Sequence, residues 1–242
     1  MNLRRVFLVA AILLSAIGAS GQAVAIVAKK TVYHRPKPIM DYKRTFSVRR
    51  PTVKAATPNL SRKITAAVSP EIVLGLNLKE EMGEYQWLEE ADYDLIFNRG
   101  GILCLRSWMT GTAAYPDDVT RYVVVDTRTG RRMRAADMFS NLRGLTSATR
   151  KMQLAEIARA SVEIKKDPEN VDVDPAGLFA DADFKVKDLD SFFVDANGVV
   201  FVYDYGFPHV LTAVQPDGEY RFSWNQIRPY IKRGGLLAQF IR

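Results

Sequence analysis

Two clusters of aromatic and acidic residues carry the recognition chemistry legible in this 242-residue chain. One is Tyr115, Pro116, Asp117 and Asp118. The other is Tyr203, Asp204, Tyr205, Gly206, Phe207, Pro208 and His209. Tyrosine and proline beside carboxylates suit a basic protein or a glycan, because they join large contact area to acceptor oxygens. The competing reading is that these aromatics pack beneath their own loops. Metal and nucleophile chemistry has little to work with. His34 and His209 are the two histidines and Cys104 the one cysteine, so neither a zinc ligand set nor an internal disulfide can be assembled. Cys104 sits among alternating large apolar residues and reads as a small buried hydrophobe. Asp172, Asp174, Gly177 and Asp183 fall at positions 1, 3, 6 and 12 of a calcium loop. Ala176 stands at position 5 and an Asp closes it, so a solvated acidic loop is the better reading. Asp117 with Asp118, or Glu89 with Glu90, would serve a glycosidase only at the right separation in space. No cofactor is expected.

The N-terminus has the layout of a secretory signal peptide. Arg4 and Arg5 precede an apolar run from Val6 to Ile17, and Ala23-Val24-Ala25 is a small-x-small site. Residues 1–25 are read as the leader, cut between Ala25 and Ile26. The apolar core falls short of the ~20 residues that span a bilayer. The expected location is periplasmic or extracellular.

The net charge of +7 is unevenly spread. Residues 29–63 hold eleven Lys or Arg and one acid, whereas residues 64–242 hold 21 basic and 26 acidic residues. With Pro36, Pro38, Pro51 and Pro58 and no sustained apolar period, residues 26–60 read as a basic, disordered linker before a domain at 61–242. A basic tail outside the membrane points to anionic polymers or a membrane surface, contacted through residues 29–63, and not to nucleic acid.

The elements that must position the aromatic clusters follow from period and turn chemistry. A short helix is expected from Ser61 to Val68, capped by Ser61. Tyr93, Leu95 and Phe97 alternate with polar residues, Asn98-Arg99-Gly100-Gly101 is a turn, and Ile102 to Met109 follows, which predicts a hairpin. Gly111 to Asp118 reads as a loop, Tyr122 to Val125 as a strand, and Ala135 to Phe139 as a helical turn. Leu154, Ile157, Ala158 and Val162 predict a helix over 147–165. Phe192 to Val194 and Val199 to Tyr203 flank a turn at Asp195 to Gly198, a second hairpin. Tyr220 to Ser223 is a last strand, and Trp224 to Ile231 starts a short helix. The fold class is α+β: an antiparallel sheet of hairpins covered on one face by one main helix and short helices.

The order of these signals resembles the RsiV-like C-terminal domain family, domain of unknown function 3298. The carrying segments are ILCLRSW at 102–108, GTAAYP at 111–116, VVDTRTGRRM at 124–133, AADMF at 135–139, FFVDANGVVFVYDYGFP at 192–208 and WNQIRPYI at 224–231. The resemblance implies a domain outside the cytoplasmic membrane that acts as a binding module. One such member is the extracellular part of an anti-sigma factor that binds lysozyme; others accompany a polysaccharide deacetylase domain. A histidine frequent in the family's loop has no counterpart at Gly111-Thr112-Ala113-Ala114. The expected partner is an envelope protein, such as basic lysozyme, or a cell-wall glycan. The alternatives are a peptidoglycan-modifying hydrolase using a carboxylate pair and a structural envelope protein held by its basic tail.

Overall fold

The computed structural model describes residues 23–168 and 172–241. The leader read at 1–25 lies outside the described residues as far as position 22. A six-stranded sheet runs β1 (Ala25–His34), β2 (Thr45–Lys54), β3 (Leu88–Arg99), β4 (Ile102–Thr112), β5 (Pro116–Asp126) and β6 (Arg131–Arg132), in that spatial order. Neighbours pair antiparallel except β2 and β3, which pair parallel through Ser47 and Val48 against Glu90 and Ala91. A second antiparallel sheet holds β7 (Phe192–Val194), β8 (Gly198–Val202) and β9 (Glu219–Ser223). The chain is α+β, as its hairpin signals imply.

Gly100 and Gly101 both adopt positive φ, 63° and 78°, which lets a two-residue turn join β3 to β4. Side chains then alternate between the two faces of β4 and β5. Ile102, Cys104 and Val124 join Phe192, Val200 and Phe201 of the small sheet and Leu145 of the long helix Leu142–Lys166 in one core. Leu103, Leu105, Val123 and Val125 point the other way and pack with Ile64 and Val68. Helix Pro58–Ala67 therefore covers the face opposite the small sheet. Its cap is Thr57, whose hydroxyl accepts from Leu60 N; Ser61 instead accepts from Ala55 N at 2.9 Å and ties the helix to β2.

The reading of residues 26–60 as a disordered linker is corrected by β1 and β2, a ten-pair hairpin on the edge of the large sheet. Its charge is answered by the rest of the chain. Lys30 pairs with Glu90, Lys43 with Glu89, Arg49 with Asp92 and Arg50 with Glu71, at 2.7–3.2 Å. Lys43 donates to Glu89, which holds that carboxyl below its usual range. Phe46, Val48 and Val53 are buried on β2. Arg35, 5% exposed, fastens the connection between the two strands. It donates to the carbonyls of Glu81 (2.8 Å), Lys43 (2.9 Å) and Leu88 (2.7 Å), pairs with the Glu81 carboxylate at 3.2 Å, and lies over the Phe46 ring. The prolines fit too: Pro51 is a buried member of β2 and Pro58 opens the helix. The excess of basic residues in this segment and of acidic residues beyond it is complementarity within one fold.

Val24, just upstream of β1, donates from its N–H to the Asn98 side chain at 3.0 Å and accepts from the same amide at 2.7 Å. Cleavage between Ala25 and Ile26 would remove that clasp.

The long helix begins five residues before the expected start, with Asn141 as its cap. Its buried positions are Leu145, Thr149, Gln153 and Ile164, whereas Leu154 and Val162 are exposed. The apolar series at 154–162 is therefore not the core stripe. The contact face mixes apolar Leu145 and Ile164 with polar Thr149 and Gln153, whose Oε1 accepts from Phe184 N at 2.9 Å.

Candidate functional site

The two aromatic and acidic clusters meet. The His209 ring nitrogen Nε2 donates to the carbonyl of Pro116 at 2.9 Å, and the His209 and Tyr115 rings lie 5.0 Å apart. Both rings are largely exposed. The meeting follows from topology: β5 sets out from Pro116 beside β4, and the segment after β8 crosses above it before β9 returns. Pro116, Asp117 and Asp118, expected in a loop, are already β5, paired with Thr112, Gly111 and Thr110.

Between these segments lies a cleft of about 600 Å³. Asp117 and Asp118 from β5 and Asp204, Asp217 and Glu219 from the facing segments line it together with Tyr203 and Thr212; Glu219 is paired with Arg221. Among the described residues no cation pairs with Asp117, Asp118, Asp204 or Asp217. Two cations also line it. Arg106 pairs with Asp94 at 2.7 Å; Arg121 donates to the Thr120 carbonyl and keeps its charge, so four unpaired carboxylates stand against one unpaired guanidinium. The cleft therefore concentrates negative charge between two walls, and such a cleft focuses its field on cations. Asp117 and Asp204 are held by local turns: Asp117 Oδ1 accepts from Asp118 N, and Asp204 Oδ1 accepts from Gly206 N.

Two residues expected at this surface belong to the core instead. Phe207 is 8% exposed and packs on Phe179 and Ile164. Tyr205 turns inward, where its hydroxyl donates to Glu156 Oε2 at 2.8 Å and lies 2.8 Å from the Tyr220 hydroxyl. Tyr220 also donates to Glu156 Oε2, at 2.9 Å. Burial, with the Glu156 carboxylate beside them, pushes both phenols upward from their ordinary range. The physical reason is size: the 203–207 segment spans from the small sheet to the helix, and only large rings fill the gap. Tyr203 is intermediate, its hydroxyl accepting from Asp183 N at 3.2 Å. The aromatics thus anchor the loop from below, while the carboxylates beside them face the cleft.

Asp217 and Glu219 were missed by the sequence reading. The turn Gln215-Pro216-Asp217-Gly218 just before β9 was the available signal. The acidic stretch at 172–183 is committed elsewhere. Asp174 caps a short helix through Ala176 N and Gly177 N, and Asp183 pairs with Arg150 at 3.0 Å. Among the described residues no three His, Cys, Asp or Glu side chains cluster to hold a metal. Cys104 is fully buried, and that burial pushes its thiol up to about 12. At pH 8 the folded protein is expected to resist maleimide, with full labelling appearing only in denaturant; intact mass reads both states. Rapid labelling of the folded protein would contradict the packing of this core.

The architecture defines an α+β domain in which a six-stranded and a three-stranded sheet share one core, with an acidic cleft beside it between β5 and the segments that flank β9 and follow β8. It is the fold of domain of unknown function 3298. A member of that family from Pseudomonas aeruginosa PAO1 superposes with a TM-score of 0.53 at 15% identity, over 89% of this chain and 96% of that one. Another, from Bacteroides fragilis NCTC 9343, gives 0.51 at 13% identity, over 90% and 98%. No family model matches the sequence, and no curated protein is similar to it. The likeness is one of fold, and it extends to the β1–β2 hairpin that composition had set apart.

Proposed function

We propose that this chain is an exported binding module of the RsiV-like class that captures a basic partner, such as a lysozyme, in the acidic cleft. The observation that carries this reading is the convergence of four carboxylates without ion-pair partners, Asp117, Asp118, Asp204 and Asp217, around one concave surface. Unpaired surface carboxylates repel one another, so a cation brought among them relieves that repulsion. Exposed Tyr115 and His209 at the rim add flat contact area of the kind enriched in interfaces. The charged start, short apolar run and small-x-small site at the N-terminus support export. No helix among the described residues is long and apolar enough to cross a membrane. The hydrolase alternative would need two of these carboxylates to act as a catalytic pair across a sugar ring, whereas binding asks only for their charge.

Lysozyme immobilised on a sensor surface provides the test. The wild-type protein is expected to bind with a rate that falls as salt rises, because screening shortens the reach of the field to about 8 Å at physiological ionic strength. The triple variant Asp118→Asn, Asp204→Asn, Asp217→Asn should lose at least about tenfold in affinity while keeping its thermal midpoint. Equal binding by the variant would remove the cleft from the account. Turnover of labelled peptidoglycan abolished by Asp117→Asn would favour the hydrolase.

A further inference from the structure

The acidic cleft continues along one strand edge into a second cavity of opposite charge. β5 pairs with β4 along its whole length on one side. On the other it pairs with β6 only at Val125 and Asp126, so from Pro116 to Val123 that edge has no strand partner. Beyond the acidic cleft lies a cavity of about 720 Å³ lined by Arg131, Arg132 and Arg134. Tyr122 lines both cavities and is fixed by stacking on Phe193 at 4.6 Å. Of the two carboxylates in the second cavity, Asp137 pairs with Arg131 at 2.9 Å, while Asp190 accepts from Ala135 N at 2.8 Å and leaves one negative charge against those of Arg132 and Arg134. Arg132 and Arg134 make no ion pair among the described residues.

The main chain along this edge points outward at alternate residues. Three of its carbonyls already accept a donor from that side: Pro116 from His209, Thr120 from the Arg121 guanidinium and Val124 from Met133 N. By the same alternation Asp118 and Tyr122 face outward between them; the Asp118 N–H is taken by Asp117 Oδ1, which leaves the Asp118 carbonyl, the Thr120 N–H and both main-chain groups of Tyr122 for a new strand. An edge of this kind is a template for another strand.

We propose that the free edge of β5 takes up an extended segment of the partner protein as an added strand, with a basic end at Asp117 and Asp118 and an acidic end at Arg132 and Arg134. This rests on the binding reading of the acidic cleft and adds to it the shape and charge order of what is bound. From Asp117 to Val123 the strand rises about 20 Å, the length of six extended residues. Main-chain hydrogen bonds to the edge would supply affinity, and the two charged ends would set the register.

The test uses a fluorescent peptide of about nine alternating Thr and Val residues, ending in two lysines at one end and two glutamates at the other. Binding to the full chain is followed by anisotropy. The peptide is expected to bind, and methylating its alternate backbone nitrogens should weaken it at least about tenfold, since each lost hydrogen bond removes a large part of a decade. Arg132→Glu with Arg134→Glu, both at exposed side chains, should produce a similar loss. Equal binding of the methylated peptide would overturn strand addition. A peptide with lysines at both ends that binds as well, indifferent to the arginine variants, would overturn the charge order and leave the acidic cleft standing. Loss of all peptide binding together with failure to capture lysozyme would overturn the cleft reading itself. A dimer in sedimentation velocity that the arginine variants dissociate would replace the partner segment with a second copy of this chain.

Discussion

Replacing Arg35 with methionine is expected to destabilise the whole protein by about 3–5 kcal/mol, the usual cost of removing one member of a buried, hydrogen-bonded ion pair. The methionine fills much of the volume, so the loss is polar. The carbonyls of Glu81, Lys43 and Leu88 lose this donor, and the Glu81 carboxylate is left with the Leu88 N–H alone and no cation. For a chain of this size the thermal midpoint should fall by roughly 10 °C. Arg35→Lys should lie between, since an ammonium keeps the charge but cannot present a planar fork to several acceptors at once. Urea unfolding followed by circular dichroism checks this. An unchanged midpoint in Arg35→Met would mean that β1 and β2 lie outside the cooperative unit.

That hairpin is also where the sequence was least legible. Lys29-Lys30 and Arg49-Arg50 give the segment the composition of a solvated tail, and their partners Glu90, Asp92 and Glu71 lie 21 to 60 residues further on. Local pattern carries no information about pairing at that range. The β3–β4 hairpin was legible because both of its determinants are local: alternation around Tyr93 and Phe97, and a Gly-Gly turn. The long helix was found, yet its inner face was misassigned because Thr149 and Gln153 are fully buried and Leu154 is not. The cleft was legible in part. Asp117, Asp204 and His209 stood out by type, whereas Asp217 and the contact between His209 and Pro116 depend on the chain's return through β9. Tyr205 and Phe207 attracted notice for the right chemical reason and serve the opposite purpose, as anchors of the loop that carries Asp204.

The second large effect is expected at Glu156, which holds those anchors. Glu156→Ala removes the acceptor of two phenol hydroxyls and of Gly218 N. Hydrogen bonds to a charged group contribute about 1.5–3 kcal/mol each, so a loss of about 3 kcal/mol is expected, part of the loss being offset as one freed tyrosine hydroxyl turns to donate to the other. The loss should be concentrated in residues 203–218, with faster amide exchange there and little change in β3 and β4. The same cluster sets an alkaline limit. Tyr205 and Tyr220 titrate above the ordinary 10.0 in the fold, burial being the main cause. Between the unfolded and folded values the unfolded chain holds fewer protons, so the stabilisation is complete below about pH 10 and declines as pH rises beyond it. The double variant Tyr205→Phe, Tyr220→Phe should flatten that decline in urea midpoints measured from pH 9 upward. A wild-type midpoint that stays constant there would contradict the buried phenol cluster.

The acidic cleft, and not the basic N-terminal hairpin, is the expected receptor of a basic partner. Hydrogen–deuterium exchange of the full chain with and without lysozyme addresses it directly, because every backbone amide reports where contact falls. Exchange is expected to slow at 116–122 and 203–219 on binding, with β1 and β2 unchanged. Protection confined to residues 29–63, or none at the cleft while lysozyme is demonstrably bound, would contradict it.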